Sequence, residues 1–481
     1  MFNIMNFLRR YWEILFLVLF TAGGIVFRSS LYPNHSYSVA MNDTDGYIAA
    51  AQYPPFSWLS LTAVRPPTVP LIYRVFKPLS GYNLTNVSRA SLAGETKQLA
   101  PQPGFEGIVI FQMVFSILSW CVFAWVVFFK IKTPGIRISA AALILIFAFS
   151  PQVADWDSIL SSESLTFSLL ALLLAFTILL AHRITHGNFT VSLSSGILLT
   201  AWLVSITFWV FTRDANVYLI PVTVLFLVLA GFLSSKKKGA LILLGLAVLY
   251  LVGLFTLQQR TMNISLRWEK PFIANLIGNV LPYPSRVSFF IQKSMPYSPG
   301  LRDAINAGVR HDDYTKFVNF MQWMKNGGYS AYTQFLISNP FWAWLQVYND
   351  LDGLFGSNLQ PYFPNGPTSR PGWLESIGNL FHPLSTVVIP VILLLSIVVL
   401  ASALLHCEPD QLAWALFFIW LLIVEFLLLF IGYHGDFYSK NRHVLASVLL
   451  MRLDFWMVIL IAAEFIFSKK ERGNPVLPGI G

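Results

Sequence analysis

Ionised side chains are what this chain has least of. Only 11% of its 481 residues are Asp, Glu, Lys or Arg, against 56% hydrophobic residues and a mean hydropathy of +0.62. A soluble fold needs far more charge to keep its surface in water, so soluble classes are excluded and a polytopic membrane protein is left. Cysteine is nearly absent, and Cys121 and Cys407 offer no disulfide framework. No Gly-rich strand-to-helix loop of the dinucleotide-binding kind occurs in the short connecting segments. There is no internal repeat, and Lys236 to Lys238 is the sole low-complexity run. A transporter would show repeated halves and spans broken by Gly or Pro at the midplane, and the sequence offers neither.

What is present is a series of long apolar runs. About 20 apolar residues cross a hydrocarbon layer of about 30 Å, and backbone polar groups inside it must be paired within a helix. That rule predicts an all-α fold of about ten transmembrane helices. They run approximately Tyr11 to Phe27, Glu106 to Phe129, Ile138 to Ser150, Ser162 to Ala181, Phe189 to Phe211, Val217 to Leu233, Ala240 to Leu257, Thr386 to Leu405, Gln411 to Ile431 and Leu445 to Phe467. The first is read as a span rather than a cleaved signal peptide because its apolar length is close to a full crossing.

Basic residues set the orientation. Arg9 and Arg10, Lys130, Lys132 and Arg137, Arg183, Lys236 to Lys238, and Lys469, Lys470 and Arg472 all flank one side, which makes both termini cytoplasmic. The loop Cys407-Glu408-Pro409-Asp410 belongs to that side without Lys or Arg. The net charge of +9 thus reads as topology, with no nucleic-acid partner. Two large loops face outward, 28–105 and 258–385. The chain divides into an N-terminal membrane module (1–257), an outward helical loop domain (258–385) and C-terminal membrane helices (386–481). Within the second loop, Tyr314 to Lys325 and Tyr329 to Ser338 read as helices. Its Trp268, Trp323, Trp342 and Trp344 are read as interfacial packing, with sugar stacking as the alternative.

Polar groups from separate segments gather at the outward level. Asp43 and Asp45 follow the first span, with Arg65-Pro66 downstream. Ser150-Pro151 leads through Asp155 and Asp157 to Glu163 at the outward end of the fourth span; Arg213-Asp214 ends the fifth; Asp436, Arg442 and His443 lie between the last two. Convergence at one depth is what a site requires. Headgroup anchoring, or pairing with Asp214 and Asp436, is the alternative role for these arginines. Inside the spans, Glu425 and Arg452 fall at similar depth and predict an interhelical ion pair, with Asp454 as the alternative partner.

These segments resemble the membrane-embedded GT-C glycosyltransferases, a family that includes protein mannosyltransferases, aminoarabinose transferases and bacterial polyprenyl-phosphate-sugar transferases. Asp43-Thr44 with Tyr47 and Ala50 is like the family's D-S/E-x-x-Y-x-x-A, and Arg65-Pro66-Pro67 with Pro70 is like its R-P-P-x-x-P. Glu163 in Ser162-Glu163-x-Leu165 and Gly435-Asp436 with Arg442-His443 follow in the same order and sidedness. The resemblance implies transfer of a sugar from a polyprenyl phosphate to a glycan, lipid or protein acceptor on the outer side, usually with inversion, and Asp43 as general base. This chain has Asp43-Thr44-Asp45, so Asp45 is the alternative base; Asp43 places Tyr47 at the family spacing.

Chemistry supports that division of labour. An oxocarbenium-like transition state calls for a carboxylate opposite the leaving group, and a departing phosphate calls for arginine, whose planar fork binds its oxygens bidentately. Arg213, Arg442 and Arg65 are the clamp candidates, with His443 as an auxiliary donor. No cofactor is expected; magnesium or manganese on Asp43, Asp45, Asp155 and Asp157 is the alternative. An O-antigen ligase or polymerase using Arg310-His311, or a lipid-linked sugar transporter, are the rival classes. Sequons occur at Asn34, Asn42, Asn83, Asn86 and Asn263, but a glycan on Asn42 would crowd the base, and no ER-retrieval tail is visible, which favours a bacterial inner membrane.

Overall fold

A computed structural model describes residues 2–30, 38–41, 43–84, 102–233, 238–307, 311–356, 372–437 and 440–473. Among these, nine helices are long and apolar enough to cross a membrane: Tyr11–Ser30, Glu106–Lys130, Glu163–Thr185, Leu193–Val210, Asp214–Leu233, Lys238–Ser265, Val388–His406, Pro409–Gly435 and Lys440–Phe467. A pair third in chain order, Pro134–Phe149 with Pro151–Ser158, is bent by 51° and makes a tenth span if it crosses as one unit. The protein is an integral membrane protein of all-α class. Arg310 and the sequons at Asn34, Asn42 and Asn86 lie outside the described residues.

The bend falls where the expected third span, Ile138 to Ser150, ends, and its cause is local. Pro151 has no N–H, so the carbonyl of Phe147 loses its helical partner. Inside a bilayer that carbonyl must be paired otherwise. Ser150 Oγ donates to it over 2.7 Å and His382 Nε2 lies 3.0 Å away. The next carbonyl, of Ala148, accepts from buried Arg28 at 2.6 Å, and Arg28 also pairs with Asp157. The break therefore carries its own set of replacement donors.

The fourth span, Glu163–Thr185, is central, with 83% of its apolar window buried. Ala171 and Ala175, one turn apart, are fully buried, as is Ala124 of its neighbour Glu106–Lys130. Lipid tails are as apolar as leucine, so such small residues stabilise the bundle by close van der Waals approach rather than by burial from water. The long segment after the seventh span builds a separate apolar cluster from Phe272, Leu276, Phe290, Phe320, Met324 and Phe335, among others. Trp323 stacks on Phe320, and Trp342 packs against Phe335.

The expected Glu425–Arg452 pair does not form. Arg452 instead donates to the carbonyl of Phe355 at 2.6 Å. That carbonyl lies in the last turn of helix Pro340–Gly356, where no intrahelical donor remains. Glu425 and Asp454 are buried near each other on the last two spans, and none of their four carboxylate oxygens has a hydrogen-bond partner among the described residues.

The two ends of the bundle differ. At one end Lys132, which follows the second span, pairs with Asp410 at the start of the ninth, and the amides of Lys132 and Thr133 donate to Glu464 near the end of the tenth. At the other end lie Asp43, Arg65, Glu163, Arg213 and Arg442.

Candidate functional site

A two-residue parallel bridge starts the assembly. Val39 and Ala40 pair with Ile159 and Leu160, which ties the segment before Asp43 to the turn before Glu163. Thr44 Oγ1 reinforces it, accepting from the amide of Met41 at 2.8 Å and donating to the carbonyl of Leu160 at 2.9 Å. Thr44 does the local bonding, so Asp43, at the N-cap of helix Thr44–Ala50, spends no side-chain bond on capping. Its carboxylate is left to face arginines.

Arg65 Nη2 donates to Asp43 Oδ1 at 2.6 Å, and Arg442 Nη1 lies 3.0 Å from Asp43 Oδ2. Arg442 also forks onto Glu163, with Nε to Oε1 at 2.5 Å and Nη2 to Oε2 at 3.3 Å. Arg213 Nη2 joins Glu163 Oε1 from the other side at 3.0 Å. Glu163 is 1% exposed, and its place in the first turn of a helix suits a carboxylate. Three guanidinium groups thus face two carboxylates, leaving one net positive charge in the cluster. Burial pushes the Asp43 carboxyl upward, but Arg442 and Arg65 together outweigh it and hold its pKa below the usual carboxylate value.

Tyr47, one turn after Asp43, is buried with its ring 5.4 Å from the Arg65 guanidinium. Burial first, then the Asp43 charge, push its phenol up, so it stays protonated. Gly46 is required here: a Cβ at that position would lie 2.8 Å from Arg65 Nε. Five sequence candidates from four separated segments, Asp43, Arg65, Glu163, Arg213 and Arg442, are brought together, with Tyr47 beside them.

Three others are placed differently. Asp45 is exposed and accepts from the amide of Gly46 at 2.7 Å. Asp436 and His443 face each other at 3.3 Å. The alternative pairing of Arg213 with Asp214 does not occur, because the extended backbone at Arg213 sends the two side chains apart. The aspartates offered as metal ligands are engaged separately: Asp43 by arginines, Asp45 by Gly46, and Asp157 by Arg28 and by Ser164 at 2.7 Å. Among the described residues they do not gather their oxygens as one group.

Sequence alone does not single out Arg267, yet it anchors the loop that carries Arg65. Its Nε donates to Asp214 Oδ2 at 2.9 Å, while Nη1 donates to the carbonyls of Leu61 at 3.1 Å and Ala63 at 2.9 Å. The available signal is sidedness: Arg28, Arg213, Arg267 and Arg442 lie at or just beyond span ends opposite those flanked by Lys130, Lys132, Arg137 and Arg183, where most basic residues gather. Beside the cluster, the short helices Thr44–Ala50, Trp58–Leu61 and Thr68–Val75 and the fifth span form an apolar cavity of about 120 Å³, lined by Ala51, Phe56, Leu71, Arg74, Phe208 and Phe211.

No family model matches the chain, and no curated protein does. Solved structures similar to it include the archaeal oligosaccharyltransferase AglB from Archaeoglobus fulgidus in complex with an inhibitory peptide and a dolichol-phosphate, at 11% identity and a TM-score of 0.44 over 98% of this chain and 53% of that one. The apo form of the Archaeoglobus fulgidus enzyme aligns at 12% identity with a TM-score of 0.44, over 98% and 53% of the two chains. The chain spans about half the length of these structures.

Proposed function

We propose that this protein is a glycosyltransferase that moves a sugar from a polyprenyl phosphate to a glycan, lipid or protein acceptor at the outer membrane surface, with inversion. The observation that carries the reading is the Asp43 carboxylate held by Arg65 and Arg442 at the rim of a hydrophobic bundle. One carboxylate suffices for inversion, because a single base takes the acceptor proton while the acceptor oxygen attacks the anomeric carbon. The C–O bond to phosphate breaks on the opposite face, and the leaving phosphate needs positive charge. The net positive charge of the cluster supplies it, with Arg65 the most accessible of the three arginines. Glu163 orients Arg442 and Arg213 and carries no proton in the reaction. The apolar cavity beside Pro67 and Thr68 is of the right character for the first isoprene units of a donor.

Resting Asp43 is a weak base because two guanidinium groups stabilise its charge. A donor phosphate that draws Arg65 or Arg442 away removes part of that stabilisation, so basicity rises when donor is bound. The reading places both termini in the cytoplasm of a bacterium and calls for no metal; omitting magnesium and manganese is expected to leave transfer in place.

The test is transfer from a polyprenyl-phosphate-sugar by detergent-solubilised protein. Asp43→Asn is expected to lower the rate by about 10²–10⁴-fold, with Asp45→Asn close to wild type. Full activity in Asp43→Asn removes it as the base, and loss confined to Asp45→Asn reassigns the role. Transfer only from pyrophosphate-linked glycans, or donor translocation without transfer, would replace the reading by the ligase or transporter class.

A further inference from the structure

The far end of the fourth span carries a second cluster that the transfer reaction does not use. His182 and His186 are one turn apart on this helix, on a shared face, and Asp410 meets them from the first turn of the ninth span. Asp410 Oδ1 lies 3.3 Å from His182 Nδ1 and 3.2 Å from His186 Nε2. The three ligand atoms fall within 4.8 Å of one another. Glu163 and His186 are separated by 23 residues of helix, about 35 Å at 1.5 Å per residue. The two clusters are therefore at opposite ends of the bundle.

The hydrogen bonding around His186 is the informative detail. Its Nδ1 lies 2.8 Å from the carbonyl of His182. A carbonyl oxygen only accepts, so Nδ1 carries the hydrogen, and in a neutral ring Nε2 presents a lone pair. That lone pair faces a carboxylate oxygen at 3.2 Å, acceptor against acceptor, and His182 Nδ1 converges on the same oxygen. A proton or a cation must lie between His186 Nε2 and Asp410 Oδ1. The other oxygen, Oδ2, is already paired with Lys132, with Lys130 close by.

We propose that His182, His186 and Asp410 bind a divalent transition-metal ion of the zinc class. Tetrahedral bonds of about 2.0–2.1 Å place neighbouring ligand atoms about 3.3 Å apart, which is the spacing from Asp410 Oδ1 to both rings. Two imidazoles and a carboxylate are a usual ligand set for zinc and leave one position for water, which the half-exposed His186 makes reachable. The carbonyl of His182 and Lys132 supply the supporting bonds that hold ring and carboxylate in place. Such an ion ties the fourth span, whose other end carries Glu163, to the ninth.

The experiment uses the full-length chain in detergent, without a polyhistidine tag, stripped by chelator and desalted. Zinc is titrated against a chromophoric chelator, and cobalt is followed by its tetrahedral absorption bands. One tight equivalent is expected in wild type and in the control His406→Gln, with affinity lower by about 10-fold or more in His186→Gln and in Asp410→Asn. Zinc should raise the unfolding temperature of wild type and leave that of His186→Gln unmoved. Absence of a tight equivalent in wild type, or its retention in both variants, overturns the proposal, and in that case a proton bridges the cluster.

Discussion

Asp43 sits where two demands oppose each other. As the proposed base it must take a proton, while Arg65 and Arg442 stabilise its ionised form. In the proposed reaction a donor phosphate relieves that opposition, which raises the carboxylate's pKa in the donor complex relative to the free protein. The acid limb of kcat is therefore expected at higher pH than that of kcat/KM, because the first reports the complex and the second the free enzyme. Coincident limbs would show that the arginines stay on Asp43 throughout. Arg442→Lys keeps the charge but cannot fork Glu163 while reaching Asp43, and should lower kcat by about 10²–10³-fold, as for loss of one preorganised donor. A second residue-scale expectation concerns His382. Burial pushes its pKa down to about 3, with the Phe147 carbonyl opposing. A folded-state pKa below the unfolded value of about 6.5 means that the unfolded chain takes up the proton first. Its stabilising contribution is complete above about pH 6.5 and is lost as pH falls toward 3. Thermal unfolding at pH 7 and pH 4.5 should show a smaller acid loss in His382→Gln than in wild type.

Among the helices and loops, the geometry of the arginine–carboxylate cluster depends on how loop segments are fastened to spans. Arg267 fastens one: its guanidinium is 4% exposed and bonds Asp214 together with two carbonyls just upstream of Arg65. Arg267→Ala removes the side-chain donor of two carbonyls and leaves Asp214 with Gln258 Nε2 as its donor, and it should destabilise by about 3 kcal/mol, in the range for breaking a buried pair. Faster proteolysis between Leu61 and Arg65 with reduced kcat is the expected signature; unchanged proteolysis would separate the loop from this anchor. The fourth span is sensitive in another way. Ala171 and Ala175 allow its neighbours to approach, so Ala171→Leu should overpack the contact at a cost of about 1–3 kcal/mol, read as a lower unfolding temperature. A polar substitution on the exposed face of the seventh span, away from that contact, has no such reason to do so.

For the whole molecule, the bundle separates two polar ends by its hydrophobic thickness. Glu425 and Asp454 lie between them and touch neither. Gln at 425 keeps the size of the side chain, brings a donor that can face Asp454, and adds no charge. Glu425→Gln is thus expected to unfold within about 1 kcal/mol of wild type and to transfer sugar normally. An Arg452 partner for Glu425 would have made the same change strongly destabilising, so the variant discriminates the two arrangements.

Hydropathy alone determined the class, the number of crossings and most of their limits, because the need to pair every backbone group in a dry layer leaves little choice but helices. Scarcity of charge likewise makes each polar segment conspicuous, and Asp43, Arg65, Glu163, Arg213 and Arg442 stand out as candidates in the bare sequence. Partner choice is another matter. Whether Arg452 meets Glu425 or the Phe355 carbonyl, whether Asp214 takes Arg213 or Arg267, and whether Asp436 joins the cluster or pairs with His443, depends on helix rotation and on which carbonyls a bend or helix end leaves free. Those are properties of packing among elements far apart in the chain, and only the tertiary structure decided them.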